Sequence, residues 1–334
     1  MGIRYSEKVE DILVEKERFR LQRIASVMNA RMKIIYEIRS YLLNEGFLEV
    51  ETPIRVVAPA PESNIETFRS EERFLIASPE LQMKILVMAG YKKIFQFVHC
   101  FRKENLSETH ETEFTMLEWY RTSARIENLM EDIENFTRRS IKELIKLVNE
   151  NTDFYGGEID IEKLLKIEQD LKKPFEIFKI RDLYKKLAGW DPITTIDPSR
   201  FDKDMIQIIE PFLKDKPAAF IYGYPEYQAS LARLSEDDQQ VAQRFEFYMY
   251  GVEIANGFDE LTDGELQEKR FIEESIIRAQ KGMNEYPLDA HFLVHLKKGM
   301  PQTSGIALGV DRFVMILLSK NNIKDVILFP DGFF

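Results

Sequence analysis

Three groups of residues in this chain place chemistry-bearing types close together. The first is Phe101-Arg102-Lys103-Glu104, followed by His110 and then Glu113-Phe114. Read as a strand, the run before it puts Gln96, Val98, Cys100 and Arg102 on one face and Phe95, Phe97, His99 and Phe101 on the other, because side chains alternate. Arg102 then ends a strand at the mouth of a charged loop, where a guanidinium can hold a phosphate through two parallel hydrogen bonds. Beyond the loop, Phe114, Met116, Glu118 and Tyr120 share a face, and a ring beside an arginine can sandwich a purine. Taken alone, the same residues also describe an ordinary hairpin with a charged turn.

The second group is Ser304-Gly305-Ile306-Ala307-Leu308-Gly309-Val310-Asp311-Arg312. Two glycines near a strand end permit close backbone approach, and the arginine follows in the first turn of a helix. Its plain alternative is a glycine-containing junction with a surface arginine. The third is Glu246 and Glu253, followed by Asn256-Gly257-Phe258-Asp259-Glu260. Carboxylates on a β-hairpin are hard oxygen ligands suited to Mg²⁺ held with nucleotide phosphates, or simply a solvated acidic edge. His291 and His295 are four apart but have no third ligand near them in sequence, so they read as a helix face. Neither glycine-rich nucleotide fingerprint, G-x-G-x-x-G or G-x-x-x-x-G-K-[ST], is present.

Elements able to position these groups are readable from periodicity. Residues 5–44 contain no proline or glycine, and Leu21, Ile24, Val27, Met28, Ile34, Ile35, Ile38 and Leu42 recur at helical spacing. Gly46 stops that helix and a short strand runs to Pro53. Ser78-Pro79-Glu80 predicts a helix start, with serine as the cap. Strands at 94–102 and 113–120 form a hairpin, and a long helix covers 126–149. The polar stretch 151–173 reads as an insertion. A strand at 218–223, a hairpin over 246–257, helices at 264–281 and 288–298, and a strand at 303–309 running into helix 310–319 complete the pattern. Clustered strands without βαβ alternation predict an α+β fold with an antiparallel sheet.

Bulk properties narrow the function classes. The 334 residues carry a net charge of −11, which argues against general affinity for nucleic acid backbones. A single cysteine, Cys100, fits a reducing compartment. No apolar run approaches the 18 residues of a membrane span. The expectation is a soluble cytoplasmic protein with no membrane contact.

Together, the three groups resemble motifs two, three and the intervening acidic hairpin of class II aminoacyl-tRNA synthetases, with Gly46-Phe47-Leu48-Glu49-Val50-Glu51-Thr52-Pro53 resembling motif one. Within that class the lysyl branch is most similar, through Ser78-Pro79-Glu80, Glu113-Phe114-Thr115-Met116-Leu117-Glu118-Trp119-Tyr120 and Glu253-Ile254-Ala255-Asn256-Gly257-Phe258-Asp259-Glu260-Leu261. Lysyl-tRNA synthetases carry an anticodon-gripping OB-fold ahead of motif one. Here about twenty residues precede the motif-one helix, so anticodon-type tRNA binding is not expected. The chain resembles the elongation factor P–(R)-β-lysine ligases instead, also through Gln228-Ala229-Ser230-Leu231-Ala232 and through Ala307, where lysyl-tRNA synthetases usually have glycine. The expected organisation is an extension at 1–20 and one class II catalytic domain at 21–334, with an insertion at about 151–215.

The resemblance implies ATP-dependent activation of lysine or (R)-β-lysine as an acyl-adenylate, then transfer to a lysine of elongation factor P as the protein acceptor. It implies ATP and Mg²⁺ as cofactors and a homodimer built through motif one. Arg102 and Arg312 are the expected catalytic residues. ATP is expected against Arg102, Lys103, Glu104, His110, Glu111, Phe114, Glu253, Ile254, Gly309 and Arg312, with Glu246 and Glu253 on the metal. A diamino-acid substrate needs carboxylates, and the resemblance assigns it Ser78, Pro79, Glu80, Glu118, Tyr120, Asn256, Glu260 and Ala307. Two positions depart from the pattern. Lys103 stands where asparagine is usual, and Glu111 replaces an asparagine that faces ATP, so Lys103 is expected to offset the added negative charge. Other readings are a ligase with a small-molecule or tRNA acceptor, which the acidic residue set opposes for an acidic substrate, and a non-catalytic paralogue, which the retained arginines oppose.

Overall fold

The computed structural model describes residues 7–331, with side chains from residue 13 onward. Its elements begin with α1 (Glu7–Asn44), β1 (Leu48–Glu49), β2 (Arg55–Val56), β3 (Arg69–Ser70), β4 (Arg73–Leu75), α2 (Glu80–Met88), β5 (Lys93–Phe101) and β6 (Glu113–Thr122). Then come α3 (Ile126–Glu150), α4 (Thr152–Tyr155), α5 (Ile161–Asp170), β7 (Glu176–Lys179), α6 (Ile180–Leu183), α7 (Pro198–Asp204), α8 (Glu210–Leu213) and β8 (Ala219–Pro225). The chain closes with β9 (Val241–Met249), β10 (Val252–Asp259), α9 (Gly264–Gln280), α10 (Ala290–Lys297), β11 (Thr303–Gly309) and α11 (Val310–Leu317).

Eight strands form one sheet in the order β1-β5-β6-β11-β10-β9-β8-β7, and a small second sheet runs β2-β4-β3. The six central strands are antiparallel, as expected. Both edges are not: β1 joins β5 and β7 joins β8 in parallel. These edge strands have two and four residues, too short for alternation to announce them. The strand expected up to Pro53 is correspondingly only Leu48–Glu49.

Alternation divides the sheet into a helix-covered face and a cavity face. Leu117 and Trp119 of β6, Phe245 and Phe247 of β9, and Ile306 and Leu308 of β11 pack with α1, α3, α5 and α11 into the main core. On α1, Ile34, Ile38 and Leu42 are fully buried, each contributing roughly 1.5–3 kcal/mol over exposure. Gly46 ends the α1 segment with φ +82°, a conformation open to glycine without strain. The stretch 151–173, read from the sequence as an insertion, contributes α4 and α5. Asp160 caps α5 by accepting from the Glu162 and Lys163 amides, and Leu164 and Ile167 enter the main core.

On the opposite face, α2, α9 and α10 enclose one apolar cluster, and residues 180–213 build another against β8 and β9. Between these coverings the centre of the sheet is open. Asp311 fixes the start of α11 there, accepting from Arg31 of α1 (2.5 Å) and from the Thr115 amide of β6 (2.6 Å). Arg312 is thereby held over the sheet. No helix is long and apolar enough to cross a membrane among the described residues.

Candidate active site

The open centre is a cavity of about 1050 Å³ counted to its mouth. Its floor is the pairing of β6, β11 and β10, with Ala307 opposite Glu118 on one side and Asn256 on the other. Arg102, just beyond β5, and Arg312, in the first turn of α11, both line it. The two guanidiniums reach it from positions 210 residues apart in sequence. Arg102 is loosely held, 3.4 Å from the Ala77 carbonyl, 3.9 Å from Glu104 and 5.2 Å above the Phe114 ring. Arg312 is tightly held, donating to the Thr109 carbonyl (3.0 Å), the Glu253 carbonyl (3.2 Å) and His110 Nε2 (2.6 Å).

A guanidinium only donates, so His110 Nε2 accepts and the imidazole is neutral. Burial and Arg312 lower its pKa, in agreement. Its Nδ1 faces Ser107 Oγ (2.8 Å) and Thr109 Oγ1 (3.1 Å). Glu104 lies 3.5 Å from its other nitrogen.

A β-bulge aims the acidic hairpin. Tyr248 and Glu246 of β9 share a face, and their partners on β10 are Glu253 and Asn256. Three residues apart, Glu253 and Asn256 would face opposite sides of a regular strand. The register shift between Glu253 and Ala255 turns both to the cavity. Burial and then Glu246 push the Glu253 carboxyl up to about 7. Glu246 sits behind it, its oxygens accepting from Arg244 (2.7 Å) and the Tyr248 hydroxyl (2.8 Å), so it does not line the cavity as Glu253 does. Among the described residues no cluster of three metal-ligating side chains exists. Two mutually repelling carboxylates suit Mg²⁺, which takes one or two carboxylates and completes its shell with phosphate and water.

The other end of the cavity is strongly acidic. Glu118 accepts from Ser78 Oγ (2.5 Å) and from the Tyr120 hydroxyl (2.8 Å). Glu80 and Glu260 converge on the buried Lys84 ammonium, each at 2.5 Å. Burial opposes charge on Lys84, but Glu260 and Glu80 outweigh it and raise its pKa. Lys84 meets Glu260 off the hydrogen-bonding angle, and neither Glu260 oxygen has a hydrogen-bond partner. Burial and then the neighbouring Glu80 push Glu118 up to about 8; burial pushes Glu260 up to about 8, with Lys84 opposing. This end holds more carboxylate than its one internal cation neutralises.

Gly305 is required here, since a Cβ on it would collide with Glu260 Oε1 and the Tyr120 ring. Gly305→Ala is expected to cost about 1–3 kcal/mol of stability by overpacking, read from the urea midpoint. At Gly309 a Cβ would meet only ordinary contacts at 3.8 Å and beyond, so that glycine leaves space in the cavity and relieves no clash.

Several expectations need correction. Ser78 does not cap α2: Pro79 is the cap residue, outside the cavity lining, and Ser78 accepts from the Glu80 amide while donating to Glu118. Lys103 faces Glu66 (3.2 Å) and the Phe68 ring and offsets nothing at Glu111. Glu111 accepts from the Asp331 amide (2.8 Å) and lies 3.9 Å from Lys324. Its charge is thus met by the C-terminal loop. Asn256 spends its carbonyl oxygen on Arg244 (3.0 Å). Ile254, at the bulge, does line the cavity. Sequence reasoning missed Lys84, Arg244 and Glu62. For Lys84 a signal existed, because Glu80 and Lys84 are four apart on one helix face.

An antiparallel sheet carrying two guanidiniums, a carboxylate pair and an acidic recess is the architecture of a class II synthetase site. The chain belongs to the class II tRNA synthetases of the D, K and N type, whose family model matches residues 15–332. Its relatives include the elongation factor P–(R)-β-lysine ligase of Histophilus somni (strain 2336), 35% identical over 91% of this chain and 95% of that protein. The enzymes of the same name from Yersinia enterocolitica and Salmonella arizonae are 35% and 36% identical, over 90% and 91% of this chain and 94% and 95% of theirs.

Proposed function

We propose that the protein activates a lysine-type diamino acid, lysine or (R)-β-lysine, with ATP and transfers the acyl group to a lysine side chain of elongation factor P. The observation that carries this reading is one cavity with a guanidinium end and an over-acidic end, the charge pattern of a triphosphate beside a diammonium substrate. Buried carboxylates lacking a cation are costly, so a neutral amino acid is rejected and a doubly cationic one is held.

Arg102, with most of its donors uncommitted, takes the α-phosphate and the incoming carboxylate. Phe114 supports one face of the adenine with Glu104 at its edge, and Arg312 covers the other and reaches the γ-phosphate, with neutral His110 beside it. Mg²⁺ would be held by Glu253 with the phosphates, Glu246 standing behind it, and would supply charge neutralisation. Glu80 faces the backbone-side amine; Glu118, Tyr120 and Glu260 face the terminal amine. The substrate carboxylate attacks the α-phosphorus and pyrophosphate leaves. An acceptor amine then attacks the acyl carbon and AMP leaves. Positioning and preorganised charge supply the acceleration.

Incubation of the chain with ATP, (R)-β-lysine or lysine, and elongation factor P should add one aminoacyl mass to the factor. Charging of tRNA with no change in the factor's mass refutes the reading. We further propose that the protein acts in the cytoplasm as a homodimer through α1. Met32, Tyr36 and Leu43 of α1 and the following Leu48 are exposed apolar side chains, a face suited to a two-fold contact. Tyr36→Asp should give a monomer by light scattering, with at most a small change in monomer stability.

A further inference from the structure

Next to the cavity lies a second one, of about 1280 Å³ counted to its mouth, walled by residues 193–196, the chain after β8, and α9. The two share Glu62, Ser230 and Leu231. Glu226, Glu273 and Glu274 line the second cavity with Lys269 and Arg270. Arg270 is spent on the Ser230 and Ala232 carbonyls (2.8 and 2.7 Å), so the lining favours a cation. Gln267 and Tyr227 also line it, and the Gln267 Nε2 and the Tyr227 hydroxyl, both buried, have no hydrogen-bond partner among the described residues.

Glu62 stands in the shared wall. Its backbone is pinned, with Arg278 donating to its carbonyl (2.6 Å) and the Ser63 amide donating to Glu274 (2.7 Å). Its carboxylate has no hydrogen bond or ion pair among the described residues. Around it, Glu80 of α2 and Glu274 of α9 repel, while Arg102 beyond β5 and Arg244 of β9 attract. Burial first, then Glu80, push it up to about 7.

Resting on the function proposed above, we infer that the second cavity receives the lysine-bearing segment of the acceptor protein, and that Glu62 takes the proton from the incoming ammonium. An ammonium has no lone pair and cannot attack. It gives one proton to the Glu62 carboxylate, and the freed nitrogen pair forms a bond to the acyl carbon. The carbon–oxygen bond to the phosphate breaks with its electrons leaving on AMP, and the remaining excess nitrogen proton goes to solvent. A base with a pKa near the working pH suits this task. The acidic lining draws the cation in.

Two acceptors separate the steps. Hydroxylamine is uncharged at neutral pH and small, so it needs neither the cavity nor the base. Thr194→Trp, at the exposed rim of the second cavity, should keep hydroxamate formation within about twofold while raising KM for elongation factor P about tenfold or more. Glu62→Gln should lower kcat for transfer about tenfold more than it lowers hydroxamate formation, and should abolish the rise of transfer with pH through about 7. An unchanged acceptor KM in Thr194→Trp, or equal losses on both acceptors in Glu62→Gln, overturns the inference. Absence of hydroxamate with any diamino acid in the unaltered chain overturns the proposed function itself, and this inference with it.

Discussion

Arg102→Ala should lower ATP–pyrophosphate exchange by roughly 10²–10³-fold, the scale set by removing a preorganised donor from developing phosphoryl charge. The fold should barely notice. Arg102 makes a long contact to the Ala77 carbonyl, a distant one to Glu104 and a stacking contact on the Phe114 ring, so melting should shift little. Arg102→Lys should recover only part of the loss, because an ammonium cannot reproduce the two-pronged geometry. Arg312→Ala is expected to behave differently. Arg312 also ties Thr109 and His110 to the site, so its loss should raise KM for ATP as well as lower kcat. Exchange within about fivefold of the parent for Arg102→Ala would remove the guanidinium from the mechanism.

Lys84→Met is the second large effect. The substitution nearly conserves volume but strands Glu80 and Glu260 beside Glu118. Removing one partner of a buried ion pair costs about 3–5 kcal/mol, and urea midpoints at pH 8 should record it. The pH sense follows from the raised carboxylates. Glu118 and Glu260 hold protons up to about 8 in the folded state against 4.5 as their ordinary value. The folded chain therefore binds more protons than the unfolded one in that window, and stability declines as pH rises through it. A diammonium ligand reverses the trend, binding better at pH 8 than at pH 6 and releasing protons as it does so. Melting of the substrate-free protein that is flat across this range, or a Lys84→Met variant as stable as the parent at pH 8, would contradict the account.

Much of this site was legible because it is built on alternation. Phe114, Met116, Glu118 and Tyr120 were separable from Leu117 and Trp119 by parity alone, and the observed cavity and core divide them the same way. The strand running into α11 placed Arg312 through its glycines and the helix that follows. What escaped was set by pairing over distance. Nothing local in β1 or β7 declares a parallel neighbour. Glu62 lies in a loop with no periodicity, and its position between two cavities depends on Arg278, 216 residues away. The helix in the α5 stretch went unread because charged residues mask its apolar spacing, although Ile161, Leu164 and Leu171 fall at helical intervals. Glu111 does line the cavity, but its partners Asp331 and Lys324 were not legible because they come from the far end of the chain.

The extra residue in β10 has an implication for how this hairpin can drift. Point changes at Ile254 alter packing but leave the reach of Glu253 intact, because orientation there is governed by the number of residues between Glu253 and Asn256. Loss of a single codon between those positions would leave Glu253 and Asn256 two apart, so a regular zigzag would hold both on the cavity face without the bulge. The facing of Glu253 is thus a matter of parity, met by three residues with a bulge or by two without one.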